Sequence, residues 1–387
     1  MLFIFRLTPL FLFTLVAALP HNPINDRRAP SNRPSLLTVQ TSPKHSLGNV
    51  GNIIAHDNLR LQQLRSSKGF SESTNSNGSS PVSISTTSLS SVFLMTISVQ
   101  VGTPPTTFEL LVDTGSSNFV VGANPAGPLF VATSSTQATG QEVSVFYGSV
   151  FDSVTIGNAA PVTQSLAVPN ISEGFTLFDG IMGLGLQALT EGTLVNEPNQ
   201  TIPTITDTLS NSIIPQPLVA LTVPLSSGSQ NGSIDFGEPD FSKNTSSISF
   251  TPLLTTGETV GFWGLSQTIT YGNGTQGVPL VTEAPGIVDS GTSLLLLPTA
   301  AFQTYMNLTG ATIDPSSGLL TIDSIDSLQS LFFNIGDTPL EFTADAQLFP
   351  RNLNAEAGLN ASAIYLIVAD GDTAGGGIDL VMGFVVL

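Results

Sequence analysis

LLVDTGSS, at Leu110–Ser117, and GIVDSGTS, at Gly286–Ser293, are two copies of one sequence pattern. In each copy an apolar run ends in Asp and is followed by a hydroxyl residue, Gly and two more hydroxyl residues. An apolar run that ends in a small polar turn is typical of a buried strand that carries a carboxylate at its end. Because the copies lie in different halves of the chain, the repeat predicts two half-molecules that each supply one Asp.

The composition around these two copies favours a β protein. The 387 residues are enough for two domains of ordinary size. An apolar content of 41% can form packed cores, and only 10% of the residues are charged. The 36 Gly and 26 Pro, together with abundant Ser and Thr, favour many turns. The sequence therefore predicts an all-β fold.

The distribution of reactive side chains excludes several kinds of chemistry. Cysteine is absent, and all three histidines precede Asp57. From Ser91 onward the chain has 25 acidic residues, and its basic residues there are Lys243 and Arg351. Such a body offers no His for a Ser-His-Asp triad, no His or Cys for zinc and no basic patch for nucleic acid. We therefore expect no metal, no cofactor and no nucleic-acid partner, which leaves carboxylates, hydroxyls and backbone for catalysis.

The first 20 residues have the pattern of a secretory signal. Arg6 precedes an apolar stretch at Leu7–Leu19, and small residues stand near its end. A membrane anchor is the alternative, but the stretch is short for a span, contains Pro9 and is followed by Pro20. We therefore expect a secreted, extracellular protein that is not held in a membrane.

Residues 21–80 are predicted to be a propeptide and linker. The stretch Ile53–Leu64 has an amphipathic helical pattern, with Arg60 and Arg65 beside its apolar positions. A basic segment would be attracted to the acidic body at neutral pH, and the attraction would fade as carboxylates become protonated. The alternative is a solvated, partly disordered leader. Residues 69–80 are rich in Ser, Asn and Gly, as is typical of a flexible linker.

The body is predicted to comprise an N-terminal lobe, residues 81–215, and a C-terminal lobe, residues 216–387. A Gly-first turn at Gly148-Ser149 is predicted to join two strands of a hairpin, with Tyr147 at or beside its tip. The other predicted elements are strands at Val92–Val101, Phe108–Asp113, Glu142–Phe146, Val150–Ile156 and Ile364–Val368, and short helices at Thr204–Ser210 and Thr299–Leu308. Eight Asn-x-Ser/Thr sequons predict surface glycans on a secreted chain: Asn77, Asn170, Asn199, Asn231, Asn244, Asn273, Asn307 and Asn360.

Two carboxylates held together suit acid–base catalysis of hydrolysis. One keeps its proton while the other stays ionised, so the pair offers a general acid and a general base at once. The ionised Asp takes a proton from a water, and the protonated Asp gives one to the carbonyl oxygen of an amide. The hydroxyls of Ser116 and Thr292 are placed to hydrogen-bond the carboxylate oxygens of Asp113 and Asp289.

The chain resembles the pepsin-like aspartic endopeptidases, and among them the secreted fungal enzymes of the polyporopepsin type. The resemblance runs from about Val92 to the C-terminus and includes Gly102–Pro105, both Asp motifs, Phe178–Gly185 and Phe262–Gly264. It implies two β lobes related by a pseudo-twofold axis with a cleft between them, and a monomer that hydrolyses polypeptides. The residues to which it assigns roles are these: Asp113 and Asp289 as the catalytic pair, Thr114 and Ser290 as a grip across the lobes, Gly115 and Gly291 as cleft lining, Ser116 and Thr292 as supports, and Tyr147 and Gly148 on the flap.

Three departures from the family pattern leave a second hypothesis open. The segment after Tyr147-Gly148 is short by about six or seven residues, or ~10 Å of hairpin reach. Phe119 and its neighbours stand where the family has a Trp that contacts the flap Tyr. The chain stops at Leu387, where family members continue with further strands. The alternative is therefore a secreted, catalytically impaired relative. A two-carboxylate glycosidase is a third hypothesis, which the single Trp disfavours.

Overall fold

The structure, a computed structural model, divides the chain into two compact units. Unit 1 comprises Met1–Pro43 and Met95–Pro252, and unit 2 comprises Lys44–Leu94 and Leu253–Leu387. Unit 1 extends to Pro252, and the strands that follow Pro217 pair with strands of unit 1. The structure describes residues 2–6, 36–47, 51–66, 91–143, 147–169, 177–223, 232–240, 250–336, 338–371, 378 and 380–387.

Unit 1 is built on a sheet of eleven strands in the order β1-β10-β11-β2-β3-β4-β9-β5-β8-β7-β6. The strands are β1 (Leu2–Arg6), β2 (Leu37–Leu47), β3 (Ser91–Val101), β4 (Thr106–Asp113), β5 (Phe119–Val121), β6 (Gln137–Val143), β7 (Tyr147–Ile156), β8 (Val162–Pro169), β9 (Gly180–Gly183), β10 (Leu218–Thr222) and β11 (Gly232–Phe236). Strand β1 lies within the predicted signal and pairs with β10. Residues 7–35, which hold the rest of that signal and the start of the predicted propeptide, lie outside the described residues.

The core of unit 1 forms around β4, because its apolar run is buried on both faces. Phe108, Leu110 and Val112 have almost no exposed surface, and Leu111 on the opposite face is also buried. Strand β3 pairs antiparallel with β4, and β9 pairs parallel with it on the other side. Neighbours on both edges and both faces explain why the run reads as continuous Leu and Val rather than as alternating apolar and polar residues. The strand therefore brings Asp113 to its end in a fixed position.

Unit 2 contains a seven-stranded sheet in the order β18-β17-β12-β13-β21-β14-β20 and a three-stranded sheet in the order β15-β16-β19. The strands are β12 (Gly264–Tyr271), β13 (Val278–Val288), β14 (Leu295–Leu297), β15 (Thr312–Ile313), β16 (Leu320–Ile322), β17 (Leu331–Ile335), β18 (Thr338–Phe342), β19 (Ile364–Leu366), β20 (Val368–Asp370) and β21 (Val381–Met382). Strand β13 ends one residue before Asp289.

Three α-helices and five short 3-10 helices accompany the sheets in the described residues. The α-helices are α1 (Gly51–Ser66), α2 (Ile205–Ser212) and α3 (Thr299–Thr309). The 3-10 helices span Gln187–Thr190, Gly274–Gln276, Asp345–Gln347, Arg351–Leu353 and Phe384–Val386. All three predicted helices are therefore present. Thr204 and Asp207 form a reciprocal capping box that starts α2, and Gly310, at φ 69°, ends α3 in a left-handed conformation that suits glycine.

The predicted hairpin exists, but its predicted turn is wrong. Gly148 and Ser149 lie inside β7, where Gly148 pairs with Glu142 of β6 on one side and with Val168 of β8 on the other. Residues 144–146, which connect β6 to β7, lie outside the described residues. Two ladders of backbone hydrogen bonds hold this segment extended, and they override the local preference of Gly-Ser for a turn.

Candidate active site

Asp113 ends β4 in a closed frame of hydrogen bonds. The Gly115 N–H donates to Asp113 Oδ1 at 2.9 Å, and the Ser116 hydroxyl donates to Oδ2. The carboxylate has no exposed surface. The backbone of the same residue is tied to the next element, since Leu184 N–H donates to Asp113 O at 2.7 Å. The support that the sequence predicted from the Ser116 hydroxyl is thus present.

Asp289 has the same frame in unit 2. The Gly291 N–H donates to Asp289 Oδ1 at 2.9 Å, and the Thr292 hydroxyl donates to Oδ2 at 2.8 Å. This carboxylate is also fully buried. Its backbone N–H donates to Met382 O at 3.1 Å, which ties it to β21. Each unit therefore presents one buried Asp that accepts from the N–H two residues on and from the hydroxyl three residues on.

The strands around the two aspartates repeat as well. In unit 1, β9 runs parallel to β4 and antiparallel to β5. In unit 2, β21 runs parallel to β13 and antiparallel to β14. Gly183 ends β9, and Gly383 directly follows β21. A Cβ on either glycine would stand less than 3 Å from backbone atoms of the segment that follows the buried Asp of the same unit. Close backbone packing therefore explains the apolar-Gly-apolar pattern that both units share.

The remaining sequence-predicted residues divide between buried and peripheral positions. Thr114 and Ser290, each next to its Asp, are fully buried, and Gly115 and Gly291 are buried beside them. Gly148 is partly exposed in β7, and Tyr147 begins that strand. The side chain of Tyr147 lies outside the described part of the structure, so the predicted flap contact stays a prediction.

Helix α1 of the predicted propeptide lies against the Asp289 frame within unit 2. Arg60 Nε donates to Asp289 Oδ2 at 3.0 Å, and a second guanidinium nitrogen of Arg60 donates to Oδ1 at 3.3 Å. Arg60 is largely buried, so water screens this ion pair only weakly. The amphipathic helix was predicted from sequence, but its contact with Asp289 was not.

Three further sets of contacts hold the same helix, and the two polar sets were not predicted from the sequence. Asp57 accepts hydrogen bonds from the backbone N–H groups of Ser293 and Leu294 at 2.9 and 2.8 Å. Arg65 donates to Gly371 O and to Ile378 O, both at 3.0 Å. The apolar face of the helix, Ile53, Leu61 and Leu64, is buried. The i, i+3 spacing of Asp57 and Arg60 was the available signal, because it puts both charges on one helix face.

A polar groove of about 530 Å³ lies elsewhere in unit 2, beside β15, β16 and β19. Partial burial raises the pKa of Asp314 in this groove, but hydrogen bonds donated by Ser317, Ser316 and Tyr365 outweigh it and hold that pKa below its ordinary value. Burial raises the pKa of Tyr365, and the nearby Asp314 raises it further. A hydrogen bond donated by the Asn360 N–H lowers this pKa but does not cancel the rise. The groove contains neither Asp motif, and it does not enter the proposed chemistry.

The described residues contain no cluster of three or more His, Cys, Asp or Glu side chains that could hold a metal ion. Within the same residues, no helix combines the length and the apolar character needed to cross a membrane.

Comparisons with known proteins agree with this geometry. A family profile described as "Eukaryotic aspartyl protease" matches residues 95–364. Polyporopepsin from Irpex lacteus is 43% identical over 304 residues, which cover 75% of this chain and 88% of that protein. Pepsin II-2/3 from Oryctolagus cuniculus is 27% identical over 283 residues, which cover 67% and 70% of the two chains. The crystal structure of an aspartic proteinase from Irpex lacteus matches with a TM-score of 0.70 and 41% identity, covering 76% of this chain and 88% of that one.

Proposed function

Because the chain belongs to the family of eukaryotic aspartyl proteases and is an aspartic-type endopeptidase, we propose that it is secreted as an inactive precursor and hydrolyses polypeptides in acid, with Asp113 and Asp289 as its catalytic pair. The observation that carries the proposal is the matched frame of the two aspartates. Each is fully buried, and each accepts from a Gly N–H and from a Ser or Thr hydroxyl.

In the proposed mechanism the two carboxyl groups share one proton and hold one water. The ionised Asp removes a proton from the water, whose oxygen attacks the peptide carbonyl carbon. The protonated Asp gives its proton to the carbonyl oxygen, which yields a tetrahedral diol. The diol then collapses, the C–N bond breaks, and the amine leaves with a proton returned by the pair. If the two carboxyls meet as proposed, they would share a proton, because two neighbouring carboxyls cannot both ionise cheaply.

The neighbours of each Asp support this chemistry in the proposal. The Gly115 and Gly291 N–H groups fix one carboxylate oxygen in each frame, and the Ser116 and Thr292 hydroxyls fix the other. Donors that already point at the carboxylates need no reorganisation during the reaction. Four further residues keep the roles that the resemblance implies: Thr114 and Ser290 join the two lobes, and Tyr147 and Gly148 belong to a flap that covers the substrate.

The proposed latency of the precursor follows from the contact between Arg60 and Asp289. A carboxylate that is paired with a guanidinium stays ionised and cannot hold the shared proton. The helix that carries Arg60 contacts Asp289 and the backbone of Ser293 and Leu294, and in the proposal it has to leave before a substrate can reach Asp289. Acid removes charge from carboxylates but not from Arg, so the ion pair weakens as the pH falls. The same acid conditions favour a pair of carboxyls that share a proton.

Secretion is proposed from the signal pattern in residues 1–20 and from the position of the sequons. The sequon asparagines in the described residues, Asn199, Asn273, Asn307 and Asn360, are all exposed and accessible to glycosylation. The other four sequons lie outside the described residues. We propose that the glycosylated product works as a monomer without a cofactor, and that its own propeptide is its first polypeptide partner.

The proposal is tested by assaying cleavage of a denatured protein in acid. We expect cleavage that a pepstatin-like inhibitor blocks and that Asp113→Asn removes. Asp326→Asn is the matched control, because Asp326 is exposed and lies outside both frames. Cleavage that persists in Asp113→Asn at the rate of the control would refute the proposed catalytic pair.

A further inference from the structure

Two adjacent backbone N–H groups just beyond the second Asp motif bind a carboxylate. Ser293 N–H donates to Asp57 Oδ1 at 2.9 Å, and Leu294 N–H donates to Oδ2 at 2.8 Å. Each carboxylate oxygen therefore receives one N–H, and the carboxylate is only 1% exposed. Hydrogen bonds to an ionised, buried acceptor are about twice as strong as those between neutral groups.

These N–H groups are not used by the sheet. Strand β14 begins at Leu295, whose own N–H donates to Ile367 O. Ser293 and Leu294 are fully buried beneath the helix, and the buried Ser293 hydroxyl has no hydrogen-bond partner among the described residues. A buried N–H without an acceptor costs free energy. The segment therefore needs a strong acceptor from outside the sheet, and Asp57 supplies one.

The helix and the segment that begins at Asp289 carry opposite charges at the positions where they meet. Along the helix, Asp57 precedes Arg60 by three residues, so both project from one face. Along the segment, the carboxylate of Asp289 precedes the N–H groups of Ser293 and Leu294. Negative Asp57 meets the two N–H groups, and positive Arg60 meets Asp289. A helix shifted by one residue along its axis would lose both sets of contacts.

We propose that the N–H groups of Ser293 and Leu294 form a carboxylate-binding site whose ligand in the full-length chain is Asp57. By binding there, Asp57 fixes the position from which Arg60 reaches Asp289. The partner that this surface fits is a helix with Asp and Arg three residues apart. His56 contacts the same carboxylate, with Nδ1 at 2.9 Å from Asp57 Oδ1, so the N–H pair and one imidazole surround the ligand. The proposal deepens the proposed latency and rests on it only for its inhibitory consequence.

Amide hydrogen exchange at neutral pH tests the site without requiring catalysis. The full-length chain carries Asp113→Asn, which prevents self-cleavage, and exchange is followed at Ser293 and Leu294. We expect Asp57→Asn to speed exchange of these two amides by about ten- to a hundredfold, as the loss of one charge-assisted hydrogen bond implies. Arg60→Gln should speed it less, because it leaves the acceptor in place. Gln62→Ala, at an exposed position of the same helix, should leave it unchanged.

A second experiment tests whether a small carboxylate can replace the side chain of Asp57. Asp57→Ala removes the ligand and leaves room for formate, so added formate should restore protection of the two amides, whereas chloride at equal ionic strength should not. Asp57→Asn fills the same space and should not respond to formate. Exchange at the unmodified rate in Asp57→Asn, exchange raised no more than by Arg60→Gln, or an absence of rescue by formate would each overturn the proposal. If catalysis is absent but these results hold, the proposed function fails and the carboxylate site stands.

Discussion

Replacing Arg60 with Gln in the full-length chain is expected to weaken the hold of the leader helix on Asp289. The shorter of the two contacts, at 3.0 Å, is a good charge-assisted hydrogen bond, and the longer, at 3.3 Å, adds little. A hydrogen bond to a charged group contributes about 1.5–3 kcal/mol net. The equilibrium between the closed precursor and the open form should therefore shift by about 10- to 150-fold towards opening.

The assay is the rate at which the purified precursor becomes active at mildly acid pH, followed with a fluorogenic peptide and by mass spectrometry of the released leader. The Arg60→Gln precursor should become active faster than the unchanged precursor, by up to about 150-fold. Arg60→Lys should be intermediate, since an ammonium keeps the charge but loses the two-nitrogen contact. Gln62→Ala should convert at the original rate, because Gln62 is exposed on the same helix.

Two results would refute this reasoning. Conversion of Arg60→Gln at the original rate across the acid range would mean that the ion pair does not limit opening. An equal acceleration in Gln62→Ala would mean that helix stability, rather than the contact with Asp289, sets the rate.

Three further predictions concern unit 2. Asp314→Asn should lower the melting temperature above about pH 4, because the folded-state pKa of Asp314 lies below the ordinary 3.8 and its ionised form therefore stabilises the fold. This stabilisation is present above the unfolded-state pKa and is lost as the pH falls through the folded-state pKa. The difference in melting temperature between Asp314→Asn and the unchanged protein should therefore shrink in stronger acid. Tyr305→Phe should lower the free energy of unfolding by about 1–3 kcal/mol in urea titrations, since the buried Gln347 Oε1 loses the hydroxyl that donates to it at 2.8 Å; an unchanged midpoint would contradict this. Gly383→Ala should lower the melting temperature more than Gly358→Ala. A Cβ on Gly383 would stand 2.2 Å from Leu294 O, whereas Gly358, at φ 70°, has open space around its Cβ and would suffer only the left-handed backbone strain of a non-Gly residue. Equal losses would contradict the packing argument.

The family and the fold could be predicted from the sequence because the decisive signals are local. The apolar runs before Asp113 and Asp289 predict buried strands, and the structure confirms both. The resemblance to pepsin-like aspartic endopeptidases is confirmed by the family profile and by the Irpex lacteus structure. The hydroxyl at the third residue after each Asp was also predicted, since its hydrogen bond closes within one turn.

Features that depend on distant partners could not be predicted in the same way. Gly148-Ser149 has the local chemistry of a turn, but pairing on both sides of β7 holds it extended. The division between units depends on the pairing of β10 and β11 with β1 and β2, which no local pattern indicates. Asp57 meets N–H groups 236 and 237 residues away. Its charge was visible in the sequence, but its acceptor role arises only when the helix docks.

The central claim is that Asp113 and Asp289 act as one catalytic unit. Its most direct test is the kcat/KM for acid hydrolysis of one peptide by the activated protein, by Asp113→Asn, by Asp289→Asn and by the double variant. We predict that each single change lowers kcat/KM by about 100- to 10,000-fold, and that the double change lowers it no further, because either loss disables the pair. Near-normal activity in either single variant, or losses that multiply in the double variant, would contradict the claim.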